Sequence, residues 1–239
     1  MMSRMKIAKW MFAFACTIFA GCGFSLAGEG YGLYKNAVEE VSLEEKVAKI
    51  RSQENFTSIE ELPETYVQAV ISVEDHRFYE HGALDLIAIG RAMFNDLKAG
   101  RYVEGGSTIS QQLAKNLYFS QEKTMKRKAA EVFLAFELEQ KYTKNEILEL
   151  YVNSIYFGDG YYSIGEASEG YFGKSASQMN DYEATLLAGV PNAPSRYAPS
   201  KNLALAEKRQ QKVISRMEAC GYLNDQAASV MSAELLALK

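Results

Sequence analysis

The chain has 239 residues, with 26 Lys and Arg against 30 Asp and Glu, for a net charge of −4; 48% are apolar and 23% charged. That balance excludes a disordered tail, a collagen-like rod and a general nucleic-acid binder. Three Cys and two His are too few for a zinc framework or a disulfide scaffold.

In chain order, the first element is apolar. Arg4, Lys6 and Lys9 precede an uncharged run over 10–27, at the lower length limit for a membrane span. The basic flank predicts a cytoplasmic N-terminus and an exported remainder at the cell membrane's outer face. Three readings of residues 1–27 stand together: an uncleaved anchor, a signal ending at Ser25-Leu26-Ala27, or a lipobox over Phe19–Cys22 with lipid on Cys22. Without this segment the rest stands at −7, so an anionic ligand needs a local basic patch.

Residues 28–49 read as a juxtamembrane segment, with a capping box at Ser42 opening a short helix. The body follows over 50–239. A second capping box lies at Ser58–Glu61. Helices are predicted over 63–73, with Val67, Val70 and Ile71 on one face, then over 83–98, 108–119 and 123–142. A further capping box at Thr143 opens a helix through about Ile155, and helices are predicted over 178–190 and 203–219. No strand alternates cleanly, so the body is all-α, without a second domain boundary.

Three stretches carry chemistry. Val73 to Gly82 holds both histidines beside Glu74, Asp75 and Glu80, a grouping suited to general acid/base work on a sugar. A metal site there lacks a Cys or a third His. Gly105-Gly106-Ser107-Thr108 leads into a helix whose first N–H groups can hold an anion, and Gln111, Gln112, Lys115 and Asn116 add donors. It lacks the ending of a Walker A loop. Lys123 to Glu131 is basic in an acidic chain, and Arg127 and Lys128 share a helix face with Glu131, an arrangement suited to a diphosphate. Ser120-Gln121-Glu122-Lys123 fits S-x-x-K, but no K-T-G follows.

Together these stretches resemble the peptidoglycan glycosyltransferase family, the transglycosylase module of penicillin-binding proteins, in its monofunctional form. The first matches E-D-x-x-F-x-x-H-x-G, the second G-G-S-T-I-x-Q-Q-L-x-K-N and the third R-K-x-x-E. Lys144–Asn153 with Phe157-Gly158, Gly165–Ala167 with Tyr171–Lys174, and Leu187–Pro194 extend the resemblance over roughly 50–217. Ala130 departs from it where a further basic residue is frequent, as do Lys123 for Arg and Val152 for Leu.

The resemblance implies a lysozyme-like fold with a membrane-contacting jaw over 83–104. It implies lipid II and the nascent glycan strand as substrates, with cell-wall synthesis proteins as further partners. Glu74 would be the general base, with Glu131 as the second catalytic carboxylate. Lys115, Lys123, Arg127 and Lys128 would hold the diphosphate. Ser107, Gln111, Gln112 and Asn116 would position sugar and phosphate oxygens, while Asp75, Phe78 and His81 would shape the loop. Asn153, Glu149 and Tyr171 read either as support behind the site residues or as packing, with packing favoured. The sequence requires no cofactor; the resemblance allows a divalent cation, Mg²⁺ or Mn²⁺, with its ligands unassigned. Two rival readings are a lytic enzyme that cleaves glycan and a non-catalytic cell-wall scaffold.

Overall fold

A computed structural model describes residues 24–101, 105–119, 122–229 and Met231. The apolar run thus lies outside the described residues except for 24–27, as do Cys22 and the jaw's last three positions, 102–104. Among the described residues no helix is long and apolar enough to cross a membrane. None forms a named strand, and the only β feature is an antiparallel bridge between Gly158 and Tyr161.

The helices, in order, are α1 (24–40), α2 (Leu43–Arg51), α3 (Glu64–Glu74), α4 (Leu86–Ala99), α5 (Ile109–Tyr118) and α6 (Met125–Lys141). Then come α7 (Lys144–Val152), α8 (Ile164–Phe172), α9 (Asp181–Gly189), α10 (Pro194–Tyr197) and α11 (Leu203–Ala219). Short 3₁₀ turns at Ile59–Glu61, Phe78–Glu80, Ala176–Gln178 and Val190–Asn192 join them.

Local chemistry sets the boundaries. Ser58, Thr108, Thr143 and Asn180 each form a reciprocal capping box with the residue three positions on, satisfying donors that a helix start leaves open. Ser42 caps α2 through Glu45 N, one arm of the box expected there. α7 stops at Val152 because Asn153 serves as its cap, earlier than the sequence pattern suggested.

The core explains the packing order. α9 is buried almost all round, from Glu183 to Gly189, which marks a central helix. α3 and α11 pack against it and against each other, while α5 lies between α6 and α7. Tyr66, Ala69, Val70 and Ile71 of α3 enter one cluster with Leu113 of α5, Leu134 and Leu138 of α6, Leu148 of α7 and Val213 of α11. Each fully buried Leu contributes about 1.5–3 kcal/mol relative to exposure. On α3 the inward residues are Tyr66, Ala69, Val70 and Ile71, while Val67 is only partly buried.

The folded body reaches back before residue 50. Leu43, Val47 and Ile50 of α2 belong to the same cluster, with Tyr34 and Val38 of α1 packed against it. α1 lies on α6. A Cβ at Gly30 would stand 2.4 Å from Ala129 Cβ, so only glycine allows this approach. Tyr34 donates to Glu137 at 2.8 Å, and Tyr31 and Tyr34 pack on Phe133. Ala130 is fully buried; the basic residue that the motif often carries there has no room under α1.

Candidate active site

Glu74 ends α3, and the chain turns sharply behind it at Asp75, the C-cap (φ −162°, ψ 77°). Asp75 ties this turn to α5: one oxygen accepts from Ile109 N at 3.1 Å, and the other lies 2.7 Å from His81 Nε2. His81 also reaches the Gly82 carbonyl at 2.7 Å, and Phe78 is fully buried under the Lys144 ammonium. These three residues hold the loop that presents Glu74.

Opposite stands α5, tied in turn to the loop that precedes α4: Thr108 Oγ1 donates to the Ala83 carbonyl at 2.9 Å. Gln112, one turn into α5, donates from Nε2 to Glu74 Oε2 at 2.9 Å. Its Oε1 accepts from the buried Tyr151 hydroxyl at 3.2 Å. Glu74 Oε1 is buried with no hydrogen-bond partner. Burial pushes the Glu74 carboxyl up from its ordinary value; the Gln112 bond and the Arg209 and Lys115 charges oppose that rise.

Two cavities adjoin this pair. One, of about 530 Å³, has Glu74, His76, Arg91, Asn95, Arg209 and Arg216 on its walls. The other, of about 460 Å³, has Gln112, Lys115, Asn116, Tyr151, Tyr156 and Asn192 among its walls. The Glu74–Gln112 bond therefore joins a wall of one cavity to a wall of the other.

A second buried carboxylate belongs to α6. Glu131 is 2% exposed and meets Arg127 Nε at 2.8 Å and Lys128 Nζ at 3.0 Å. Lys128 also donates to Ser107 Oγ at 2.7 Å, fastening the glycine-led loop to α6. Lys115 is half-buried and held below the ordinary lysine range by burial; Arg127 and Lys128 push the same way, and Glu131 and Glu74 oppose. Its charge thus acts on both glutamates.

Most of the predicted residues come together here: Glu74, Gln112, Lys115 and Asn116 at the cavities, with Ser107, Arg127, Lys128 and Glu131 as a linked cluster. Two stand apart. Gln111 closes the Thr108 capping box and is 3% exposed, and Lys123 is exposed ahead of α6, without an ion pair to Glu131. Asn153 bonds to Thr57 through both its side-chain groups, Glu149 accepts from Ile59 N and Tyr171 donates to the Phe157 carbonyl, all packing roles. Sequence reasoning missed Arg209 and Arg216 on α11, and Arg91, which falls within the stretch expected as the jaw; His76 belongs to the 73–82 stretch already singled out.

Asp75, His81 and Asp85 place ligand atoms within 4.8 Å of one another. Asp75 is already engaged as above, and Asp85 caps α4 through Ile87 N and Ala88 N and pairs with Arg77. Glu131 faces two cations. Neither carboxylate set fits a dication without losing those bonds, so no step is assigned to one.

The sequence model of the transglycosylase family matches residues 42–218. Penicillin-binding protein 1F of Bacillus subtilis (strain 168) is 42% identical over 76% of this chain and 25% of its own length. Penicillin-binding protein 1A of Escherichia coli (strain K12) is 38% identical over 93% of this chain and 28% of its own. The chain spans about a quarter of the length of these curated relatives. A crystal structure of Penicillin-Binding Protein 1A from Haemophilus influenzae overlaps 52% of this chain and 15% of that one, at 30% identity and TM-score 0.36, too partial a likeness to bear on the fold.

Proposed function

Because this chain belongs to the transglycosylase family, we propose that it is a peptidoglycan glycosyltransferase polymerising lipid II into β-1,4-linked glycan strands. The observation that carries this reading is Glu74 Oε1: buried, without a hydrogen-bond partner, on a cavity wall, with its pKa raised. Such an oxygen is free to take a proton, and a raised pKa makes it a more effective acceptor.

Glu74 removes the proton from the 4-hydroxyl of lipid II's GlcNAc. That oxygen attacks the anomeric carbon of the growing chain's MurNAc. The C1–O bond to diphosphate breaks, and the leaving group takes the electron pair. One displacement inverts α to β and needs no covalent enzyme intermediate. Arg127, Lys128 and Lys115 offset the charge gathering on the diphosphate, while Arg209 and Lys115 oppose the rise that burial imposes on the Glu74 pKa. Lys123, exposed at the approach, extends the positive field.

The exposed side chains of α4 support a membrane-surface location: Leu86, Ile87, Met93, Phe94 and Leu97 are each more than half exposed. An apolar stripe of this kind suits the lipid interface where an undecaprenyl chain would lie. In the lytic reading a second carboxylic acid would protonate a leaving oxygen. Glu131 is engaged by two cations, which disfavours that role.

The test is turnover. Detergent-solubilised protein is incubated with labelled lipid II and products are separated on a gel, with Glu74→Gln alongside. A ladder of strands from wild type alone is expected. A ladder from folded Glu74→Gln would overturn the assignment of the base, and no ladder from wild type, with lipid II bound intact, would favour a scaffold.

A further inference from the structure

α11 has two faces of opposite character. Ala206, Gln210, Val213 and Met217 are buried. On the opposite side Lys208, Lys212 and Arg216 recur at four-residue steps, so they lie one above another along the helix. All three are exposed, with Arg209 half-exposed beside them. Four cations within nine residues make this a basic ridge in a chain whose net charge is −4. The acids of α11 lie off the ridge: Glu207 is buried and Glu218 half-buried. No ion pair engages Lys208 or Lys212 among the described residues. The ridge is not flat. A hollow of about 460 Å³ is lined by Lys208, Arg209, Gln211, Lys212, Ser215 and Arg216, four cations with a hydroxyl and an amide.

Position gives the ridge its meaning. Arg209 and Arg216 also line the cavity that holds Glu74, and Arg91 and Asn95 of α4 line the same cavity. The helix that carries the apolar stripe and the helix that carries the basic ridge therefore border one cavity. Apolar side chains beside an unpaired row of cations are what an anionic lipid–water boundary accepts: chains for the first, phosphates for the second.

We propose that the outer face of α11 rests on anionic phospholipid headgroups, with Lys208 and Lys212 as contact residues. It rests on the membrane-surface reading given above and adds a second contact, which sets the tilt of the domain. With α4 inserted on one side and α11 on headgroups on the other, the Glu74 cavity faces the bilayer from which a lipid-linked substrate arrives. Neither lysine lines the Glu74 cavity, so their loss leaves the chemistry intact.

The experiment uses the full chain reconstituted in vesicles of phosphatidylcholine, with or without phosphatidylglycerol. A membrane-impermeant amine-acetylating reagent is applied, and labelling is read by mass spectrometry, with exposed Lys49 on α2 as reference. Labelling of Lys208 and Lys212 is expected to fall about fivefold each in the anionic vesicles, with Lys49 unchanged. Equal labelling in both compositions would overturn the proposal. In parallel, Lys208→Gln/Lys212→Gln is compared with wild type in neutral detergent micelles and in anionic vesicles. Equal turnover in micelles and slower turnover on anionic vesicles is the expected result. A variant slowed in micelles as well would assign the ridge to the substrate instead and overturn the lipid contact. Wild-type turnover in micelles reports on the glycosyltransferase reading separately.

Discussion

Glu74 and Glu131 are both drawn into the protein, yet they are placed in opposite ways. Glu131 touches Arg127 and Lys128 directly. Glu74 has its nearest cations at a distance, one oxygen held by an amide and the other held by nothing. A carboxylate saturated with cations is a fixed counter-charge: it orients them and gains little from a proton. A carboxylate that feels cations without touching them has its raised pKa only partly offset and keeps its basicity. The contrast is the one that the proposed reaction needs, with one glutamate for electrostatics and one for proton transfer.

The sharpest way to break the comparison is to exchange each glutamate for its amide. Glu74→Gln is expected to lower turnover about 10²–10⁴-fold with no loss of Tm, and a gain where wild-type Glu74 is ionised. The sign for stability follows from the raised folded pKa. Below the ordinary value of 4.5 the neutral carboxyl contributes fully, and that contribution is lost as pH rises through the folded value. Thermal melts against pH should show that decline in wild type and not in Glu74→Gln. Glu131→Gln is expected to lose turnover and about 3 kcal/mol of stability together, because two cations are left facing no counter-charge; denaturant titration reads the second loss. Equal stability of the two variants would erase the distinction.

Lys115→Met sharpens it further. Removing a cation that favours ionised Glu74 should move the acidic limb of the pH–rate profile to higher pH. An unmoved limb would mean that Lys115 serves only the diphosphate. The smallest effect is expected at Gly30→Val. The added side chain meets Ala129 and should cost about 1–3 kcal/mol by overpacking. It disturbs α6 from behind, so turnover changes through the Glu131 cluster while the acidic limb set by Glu74 stays in place.

Local chemistry was legible in the sequence; distant convergence was not. The capping boxes at Ser58 and Thr143 and the Arg127, Lys128, Glu131 face are short-range patterns, and each forms as spaced. α8 was missed because Gly165 and Gly170 dilute its apolar period. Its start signal was nonetheless present: Ser163 accepts from Glu166 N, and Gly173 closes it with φ 67°, the left-handed conformation that glycine supplies. Arg209 and Arg216 could be placed on a helix from their spacing, but not at Glu74. That approach depends on how α3, α9 and α11 pack, over more than 130 residues of intervening chain. Gln111 and Gln112 looked alike as donors. Only the cap at Thr108 separates them, fixing the first in the helix start and leaving the second to face Glu74.

Gln112 also carries a direction. The Tyr151 hydroxyl is buried and its pKa lies well above the ordinary value, so it keeps its proton and donates to the amide oxygen. The amide nitrogen is then turned to Glu74, and Glu74 Oε2 accepts from it. The relay from Tyr151 through Gln112 has a fixed polarity, like a rectifier. It favours the ionised form of the carboxylate and leaves Oε1 unbonded, the oxygen that takes the substrate's proton in the proposed reaction. A side chain with two equivalent oxygens is thereby made chemically one-sided.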